Sequence, residues 1–408
     1  MEEYTTYRLG DIAECTLGKM LDQKKNKGNP QVYLGNVAVR WGSFNVDPSQ
    51  TMLFEDKELD KYQAIKGDIV LCEGGEPGRC AIWEEDRPIC IQKALHRIRV
   101  NEDIASPYYV YYYLTNLVKS GKAEPFFTGS TIKHLPREKL ISLELSLPCF
   151  EEQKRRAAII RSLDDKIALN NRINQNLEEQ AQALYKSWFV DLEPFRDGEF
   201  VDSDLGLIPV GWRSMRAEDI CPINIGKTPP RKESEWFSAN KDDYTWVSIS
   251  DMSDCGTYID SSSETLTHEA IRKFNIAIVP AGSVLLSFKL TIGRVAIANK
   301  ELTTNEAIAR FVTNSPALTN YLYLALKNYD YSKLGSTSSI AIAVNSKIIK
   351  AMPLVYPGRD VVNKFAGIVA GLFEEIKKRQ RENKVLAEIR NSALPRLMSG
   401  DSLPYMNC

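Results

Sequence analysis

The chain has 408 residues, 43% of them hydrophobic, with 52 Lys and Arg against 53 Asp and Glu and a formal net charge of -1. That length exceeds one ordinary domain and provides for two cores; no apolar run approaches the roughly 20 residues of a bilayer span, and Met1-Glu2-Glu3-Tyr4 lacks a basic, apolar signal segment, so a soluble cytoplasmic protein is expected. The near-neutral balance differs from the pI above about 9 of many dedicated nucleic-acid binders, so such a role would need segregated charge or a partner to supply it.

In chain order, Leu9-Gly10-Asp11-Ile12 opens the chain and returns as Ala217-Glu218-Asp219-Ile220, while Thr16-Leu17-Gly18-Lys19 returns as Asn224-Ile225-Gly226-Lys227. Short strands are expected at Gly67–Cys72, Cys80–Trp83 and His96–Val100, separated by Gly and Pro turns, with counterparts at Gly282–Leu286, Val295–Ile297 and Ile308–Val312. Pro107 then opens a tyrosine-rich helix, Tyr108 to Leu117, mirrored by Pro316 with Tyr321 to Leu326. Gly129-Ser130-Thr131 maps to Gly335-Ser336-Thr337, and Leu163-Asp164-Asp165-Lys166-Ile167 to Leu372-Phe373-Glu374-Glu375-Ile376. The displacement wanders by only a few residues, so loops changed length while element order was kept. This is a tandem pair of large units rather than a short-period solenoid. The matching pieces are short and the sequence between them has diverged, so two copies of one scaffold are expected to carry two different surfaces.

Each copy ends in a long helix. Leu163, Ile167, Asn170, Asn174, Leu177, Ala181, Leu184 and Trp188 advance by three and four in turn, the seam of a coiled coil. Val369, Leu372, Ile376, Arg379, Asn383, Leu386, Arg390 and Ala393 repeat it, with Asn174 and Asn383 as matched interior polar residues that would fix the register. If the helices pair antiparallel, these asparagines meet near the middle; otherwise each helix packs on its own body with its asparagine solvated. At 1.5 Å per residue, Ile160 to Trp188 makes a rod on the order of 40 Å long. Two bodies at its ends would lie about one DNA turn apart, close to the roughly 34 Å between paired half-sites.

Enzymatic chemistry lacks its motifs. Ile225-Gly226-Lys227-Thr228 resembles the end of a phosphate loop, but Cys221 stands where the leading Gly belongs and Pro229-Pro230 would stop the helix that must hold phosphate. Neither Thr228-Pro229-Pro230-Arg231 nor Gly28-Asn29-Pro30-Gln31 supplies the Asn-Pro-Pro-Tyr-like run of an adenine methylase, and His96, His134 and His268 have no ligand spacing. The eight cysteines include no C-x-x-C pair, and Cys72, Cys80 and Cys90 match no usual zinc framework, so buried free thiols are expected.

The segment Leu147-Pro148 through Glu151-Glu152-Gln153-Lys154-Arg155-Arg156-Ala157-Ala158-Ile159-Ile160 to Leu163-Asp164-Asp165-Lys166-Ile167 resembles the central conserved region of the specificity subunit of type I restriction-modification systems. So do Leu184-Tyr185-Lys186-Ser187-Trp188-Phe189, Ile208-Pro209-Val210-Gly211-Trp212, Gly226-Lys227-Thr228-Pro229 and Leu394-Pro395-Arg396-Leu397-Met398-Ser399-Gly400. Pro357-Gly358-Arg359-Asp360 departs from the pattern, standing where a Glu-Gln pair is expected. The resemblance implies a non-catalytic subunit with two α/β (mixed α+β) target-recognition domains in tandem, residues 1–150 and 196–358. These are separated by antiparallel helices at 151–195 and 359–400 in pseudo-twofold arrangement, with a tail at 401–408. Each domain would read one half of a split double-stranded DNA target. The helices would set the unread gap and dock two copies of an adenine methyltransferase subunit, with translocating restriction subunits joining for cleavage. S-adenosylmethionine, ATP and Mg would belong to those partners, and this chain would hold no cofactor or metal.

Candidate DNA contacts then fall on turns. Arg79, in Glu73-Gly74-Gly75-Glu76-Pro77-Gly78-Arg79, would fork onto guanine or phosphate. Lys289 and Arg294 occupy the same slot in the second copy. Ser130, Thr131, Lys133 and His134 offer small donors and a cation for phosphate, with Ser336 and Thr337 as their counterparts. Lys19, Lys24 and Lys25, and Lys227 with Arg231, follow the repeated Gly-Lys and would track the backbone in a salt-sensitive way. The alternatives are that the glycines are scaffold turns and the lysines a solvated surface. A duplicated adaptor bridging two proteins fits the same architecture and the near-neutral charge; a self-contained DNA-modifying enzyme would need the motifs that are missing.

Overall fold

The computed structural model describes residues 4–22, 26–240, 242–253, 255–334 and 344–399. The chain divides into two compact units: Met1–Ile167 with Val385–Cys408, and Ala168–Lys384.

In the first unit, Ala13–Leu17, Leu95–Val100, Ile69–Cys72 and Cys80–Ile82 form a four-stranded sheet in that order, antiparallel throughout. A second sheet orders Thr51–Phe54, Asn29–Leu34, Ile89–Ile91 and Gln63–Ala64, with Cys90 beside Tyr33 in a parallel pair. Ile69–Cys72 is buried along its whole length, as a strand covered on both faces must be. The helix Pro107–Lys119 starts on its proline and buries Tyr109, Val110, Tyr112 and Leu114. Thr5–Arg8 pairs with Glu144–Leu147, tying the start of the body to its end.

The second unit repeats this plan. Ile223–Ile225, Ile308–Phe311, Val284–Ser287 and Val295–Ala298 match the first sheet, and Tyr258–Ile259 adds a fifth, parallel strand. Phe237–Ser238, Glu264–Leu266, Tyr244–Val247 and Thr303–Thr304 form the second sheet. The helix Pro316–Lys327 again opens on proline, and Arg213–Arg216 pairs with Pro353–Tyr356. The architecture is therefore a mixed α/β body built twice.

The long helices are Phe150–Phe189, 40 residues, and Arg359–Ser399, 41 residues. The first begins well before the apolar seam that opens at Leu163, its polar opening laced by ion pairs: Lys154 to Glu151, and both Arg155 and Arg156 to Glu152. Within the first unit, Arg156 donates to the Leu397 carbonyl at 3.0 Å and Arg390 to Asp164 at 2.7 Å, so the two segments run antiparallel there. Within the second, Asn170 bonds Asn383 while Tyr185, Trp188 and Phe189 pack on Phe365, again antiparallel. The expected meeting of Asn174 with Asn383 does not occur. Asn383 lies one helical turn short of it, taking Asn170 and Asn171 as partners, and the buried Oδ1 of Asn174 has no hydrogen-bond partner among the described residues.

Cys15, Cys72, Cys80, Cys90 and Cys221 are buried free thiols, whereas Cys149 is exposed. Burial pushes the Cys15 and Cys80 thiols up to about 12, so both stay protonated at neutral pH. Among the described residues, no group of three or more His, Cys, Asp or Glu is placed to hold a metal ion, and no helix is long and apolar enough to cross a membrane.

Candidate nucleic-acid interface

The repeated Gly-Lys is a crossing point between the two sheets of each body. Gly18 donates its N–H to the Leu95 carbonyl and Lys19 to that of Ile91; Gly226 and Lys227 do the same to Ile308 and Thr304. A Cβ on Gly18 would stand 2.3 Å from the Gln92 carbonyl oxygen, and one on Gly226 1.9 Å from that of Asn305, so the backbones approach too closely for any side chain. The lysines diverge beyond that point. Lys19 is only 3% exposed, with its ammonium on Glu58 at 2.6 Å and on the Leu53 carbonyl at 2.8 Å, above the Phe54 ring. It holds the body together and is not available to phosphate, a correction to the sequence expectation. Lys227 remains exposed and bonds the Phe274 and Asn275 carbonyls at the C-terminal end of the helix His268–Lys273. Lys24 and Lys25 lie outside the described residues, as do Ser336 and Thr337.

The two arginines expected to read bases are clasps. The hairpins Leu71–Cys80 and Leu286–Val295 have the same register and loop length. In both, a Gly with positive φ precedes the arginine, 87° at Gly78 and 92° at Gly293. Arg79 donates to Glu76 at 2.8 Å, to the Asn36 carbonyl at 3.1 Å and to the Asn36 Oδ1 at 3.0 Å. Arg294 donates to the Ile249 carbonyl at 2.7 Å. Asn36 follows the strand Asn29–Leu34 and Ile249 the strand Tyr244–Val247, the same place in each body. The shared arginine thus ties the hairpin to the loop beyond that strand. Arg231 is likewise engaged, forked onto both Glu264 oxygens at 2.9 Å and stacked over Phe237 and Trp246.

The remaining candidates are on the surface. In the first body, Thr128 and His134 exchange backbone hydrogen bonds at 2.8 Å, closing a hairpin whose tip carries exposed Ser130, Thr131, Ile132 and Lys133. His134 bridges to Gly74, and the Leu135 N–H donates to the Glu73 carbonyl at 2.6 Å. The structure therefore brings the Gly-Ser-Thr turn alongside the Gly-rich hairpin, which the sequence had left as separate candidates. Lys133 pairs with Glu124, and Trp41 braces the hairpin by donating to Glu76 at 2.7 Å. The arrangement offers hydroxyls, backbone N–H groups, a lysine and an imidazole on hydrogen-bonded turns, groups of the kind that contact phosphate and base edges.

In the second body, exposed Lys289 lies on the hairpin tip near Glu306. Burial pushes the Glu306 carboxyl up, but the Thr228 hydroxyl, with Lys289 and Arg231 beside it, holds it below the usual carboxylate range. The cations there are part of a mixed-charge patch, consistent with the near-neutral composition. Sequence reasoning missed Asn36 and Ile249, whose carbonyls anchor the clasps.

The comparisons with known proteins agree with this duplication. A family described as the type I restriction modification DNA specificity domain matches residues 1–179 and 209–387. The chain is 28% identical over 334 residues to the type I restriction enzyme HindI specificity subunit of Haemophilus influenzae, covering 67% of this chain and 72% of that protein. It is also 28% identical over 348 residues to the MjaIX specificity subunit of Methanocaldococcus jannaschii, covering 82% of this chain and 78% of the relative. The solved S subunit of a type I restriction-modification system from M. genitalium has a similar fold, with a TM-score of 0.52 at 14% identity over 100% of this chain and 97% of that one. Two stretches of family match, one on each body, make the assignment plain: the chain belongs to the type I restriction-modification DNA specificity domain family.

Proposed function

We propose that this chain is the non-catalytic specificity subunit of a type I restriction-modification complex, reading a bipartite double-stranded DNA target with one body per half-site. The observation that carries the reading is the duplication itself: the same hairpin, clasp and Gly-Lys crossing are built twice, while the exposed tips differ. Matching scaffolds with different tips are what two different half-sites require. The long helices would pair as an antiparallel coiled coil, set the unread spacer and dock two adenine methyltransferase subunits, with restriction and translocase subunits completing the assembly in the cytoplasm. S-adenosylmethionine, ATP and Mg would be held by those partners.

Contact with DNA is assigned to Ser130, Thr131, Lys133 and His134 in the first body and to Lys227 and Lys289 in the second. Phosphate contacts from such groups confer salt-dependent affinity, while base edges supply specificity. Selection from a random double-stranded DNA pool by the complex of this chain with an adenine methyltransferase subunit tests the function. Two fixed sequence blocks separated by a constant unread gap are expected. Recovery of unselected sequence from a stable complex would support the adaptor reading instead.

A further inference from the structure

Leu290 stands at the tip of the second body's hairpin, 99% exposed, with φ of 59°. An exposed leucine is unremarkable by itself, but a branched side chain in left-handed backbone is not, because its Cβ crowds the following carbonyl. The turn is the rare hand of the three-residue type, closed by the Thr291 N–H donating to the Lys289 carbonyl at 2.6 Å. Both ends of the loop are held. Phe288 is buried and its N–H donates to Ala307 at 2.9 Å; the Ser287 hydroxyl donates to the Thr291 carbonyl at 2.6 Å and accepts from the Arg294 N–H at 3.1 Å. The tip is therefore a braced projection.

The first body shows what this position needs for folding alone. In the matching hairpin the residue is Gly75, with φ of 76°. A Cβ there would meet only the Asn36 side chain, at an ordinary 3.6 Å, so glycine serves the backbone angle rather than a lack of room. The second body keeps the angle and carries leucine regardless, and among the described residues the side chain gains no burial. A strained residue whose side chain packs on none of the described residues points to a contact made with a ligand.

We propose that Leu290 is a specificity-determining residue that makes an apolar contact with a thymine 5-methyl group in the second body's half of the DNA target. The thymine methyl is the apolar feature of the major-groove edge, and neighbouring Lys289 is placed to hold an adjacent phosphate. The inference rests on the DNA-reading function proposed above.

The test uses the full chain with its methyltransferase subunits, after the wild-type target has been mapped. Leu290→Gly restores the residue of the sister hairpin and suits the backbone angle, so the variant is expected to fold. Duplexes are made with each thymine of the second half-site replaced in turn by uracil, which lacks only the methyl. One replacement should weaken wild-type binding roughly fourfold, the worth of one buried methyl-sized group, and have no effect on Leu290→Gly. The variant should also accept another base at that position while the first half-site stays fixed. The inference is overturned if no thymine lies in the second half-site, if uracil is tolerated at every position, or if Leu290→Gly keeps wild-type preference. A wild-type complex that marks no two-part site would remove the DNA-reading function itself, and this contact with it.

Discussion

Asn170 donates its side-chain amide to the side-chain carbonyl of Asn383 at 2.8 Å, joining the two long helices through a fully buried asparagine. Asn170 also donates to Glu382 at 2.9 Å, and Asn383 donates to Asn171 at 2.8 Å. An amide pair with one member buried and the other half-buried costs desolvation but has one register in which its bonds are made. Asn383→Ala should therefore lower stability by about 1 kcal/mol. Replacing Asn170 and Asn383 together by Leu should leave it unchanged or raise it. Urea denaturation of the two variants measures this; a double variant weaker than the single would contradict it.

The Gly-Lys crossings should tolerate no side chain. Gly226→Ala sets a Cβ against the Asn305 and Thr304 carbonyls, and Gly18→Ala against that of Gln92. Backbone cannot retreat as a rotamer can, so each substitution should cost about 3 kcal/mol or more. Each body has its own core, so hydrogen exchange should show lost protection confined to the body that carries the substitution.

Arg79→Ala should weaken the first body by about 1–2 kcal/mol, by freeing the hairpin from Asn36. Arg79→Lys should not restore it, because an ammonium cannot reproduce a planar fork across three acceptors. DNA selected by the folded fraction should show the wild-type first half-site. Relaxation at a single base pair would return Arg79 to base reading.

His96 is buried in the strand Leu95–Val100, with its Nε2–H donating to the Leu135 carbonyl at 3.0 Å and its Nδ1 without a partner among the described residues. Burial holds this imidazole below its ordinary range. Below about pH 6.5 the unfolded chain takes up a proton that the folded one resists. Stability should fall as pH drops through that window, by at most about 1.4 kcal/mol per pH unit from this group, and be insensitive to it above. His96→Gln should remove that component of the slope in thermal melts between pH 7.5 and 5.5.

Period and punctuation made much of the fold legible. The seam of threes and fours located both long helices, and Gly-Arg located two hairpins whose loop lengths match. The start of the first helix at Phe150 was hidden from the apolar periodicity, because ion pairs rather than apolar residues carry its opening turns, and only the family resemblance placed it, at 151. Contact roles were the least legible part. Arg79 and Arg294 look like free forks, yet both spend donors on a backbone carbonyl, and such an acceptor leaves no mark in the sequence. Lys19 meets Glu58 from 39 positions away, a pairing that only the folded sheet order discloses. Asn383 found Asn170 rather than Asn174 because antiparallel alignment, not repeat position, decides which residues face each other.

Methylation-resolved sequencing of DNA from cells expressing an adenine methyltransferase subunit, with and without this chain, tests the central claim most directly. A new methylated motif of two defined halves around an unread gap, present only with the chain, is the predicted result. A stable complex with the methyltransferase that leaves the methylation pattern unchanged would contradict it.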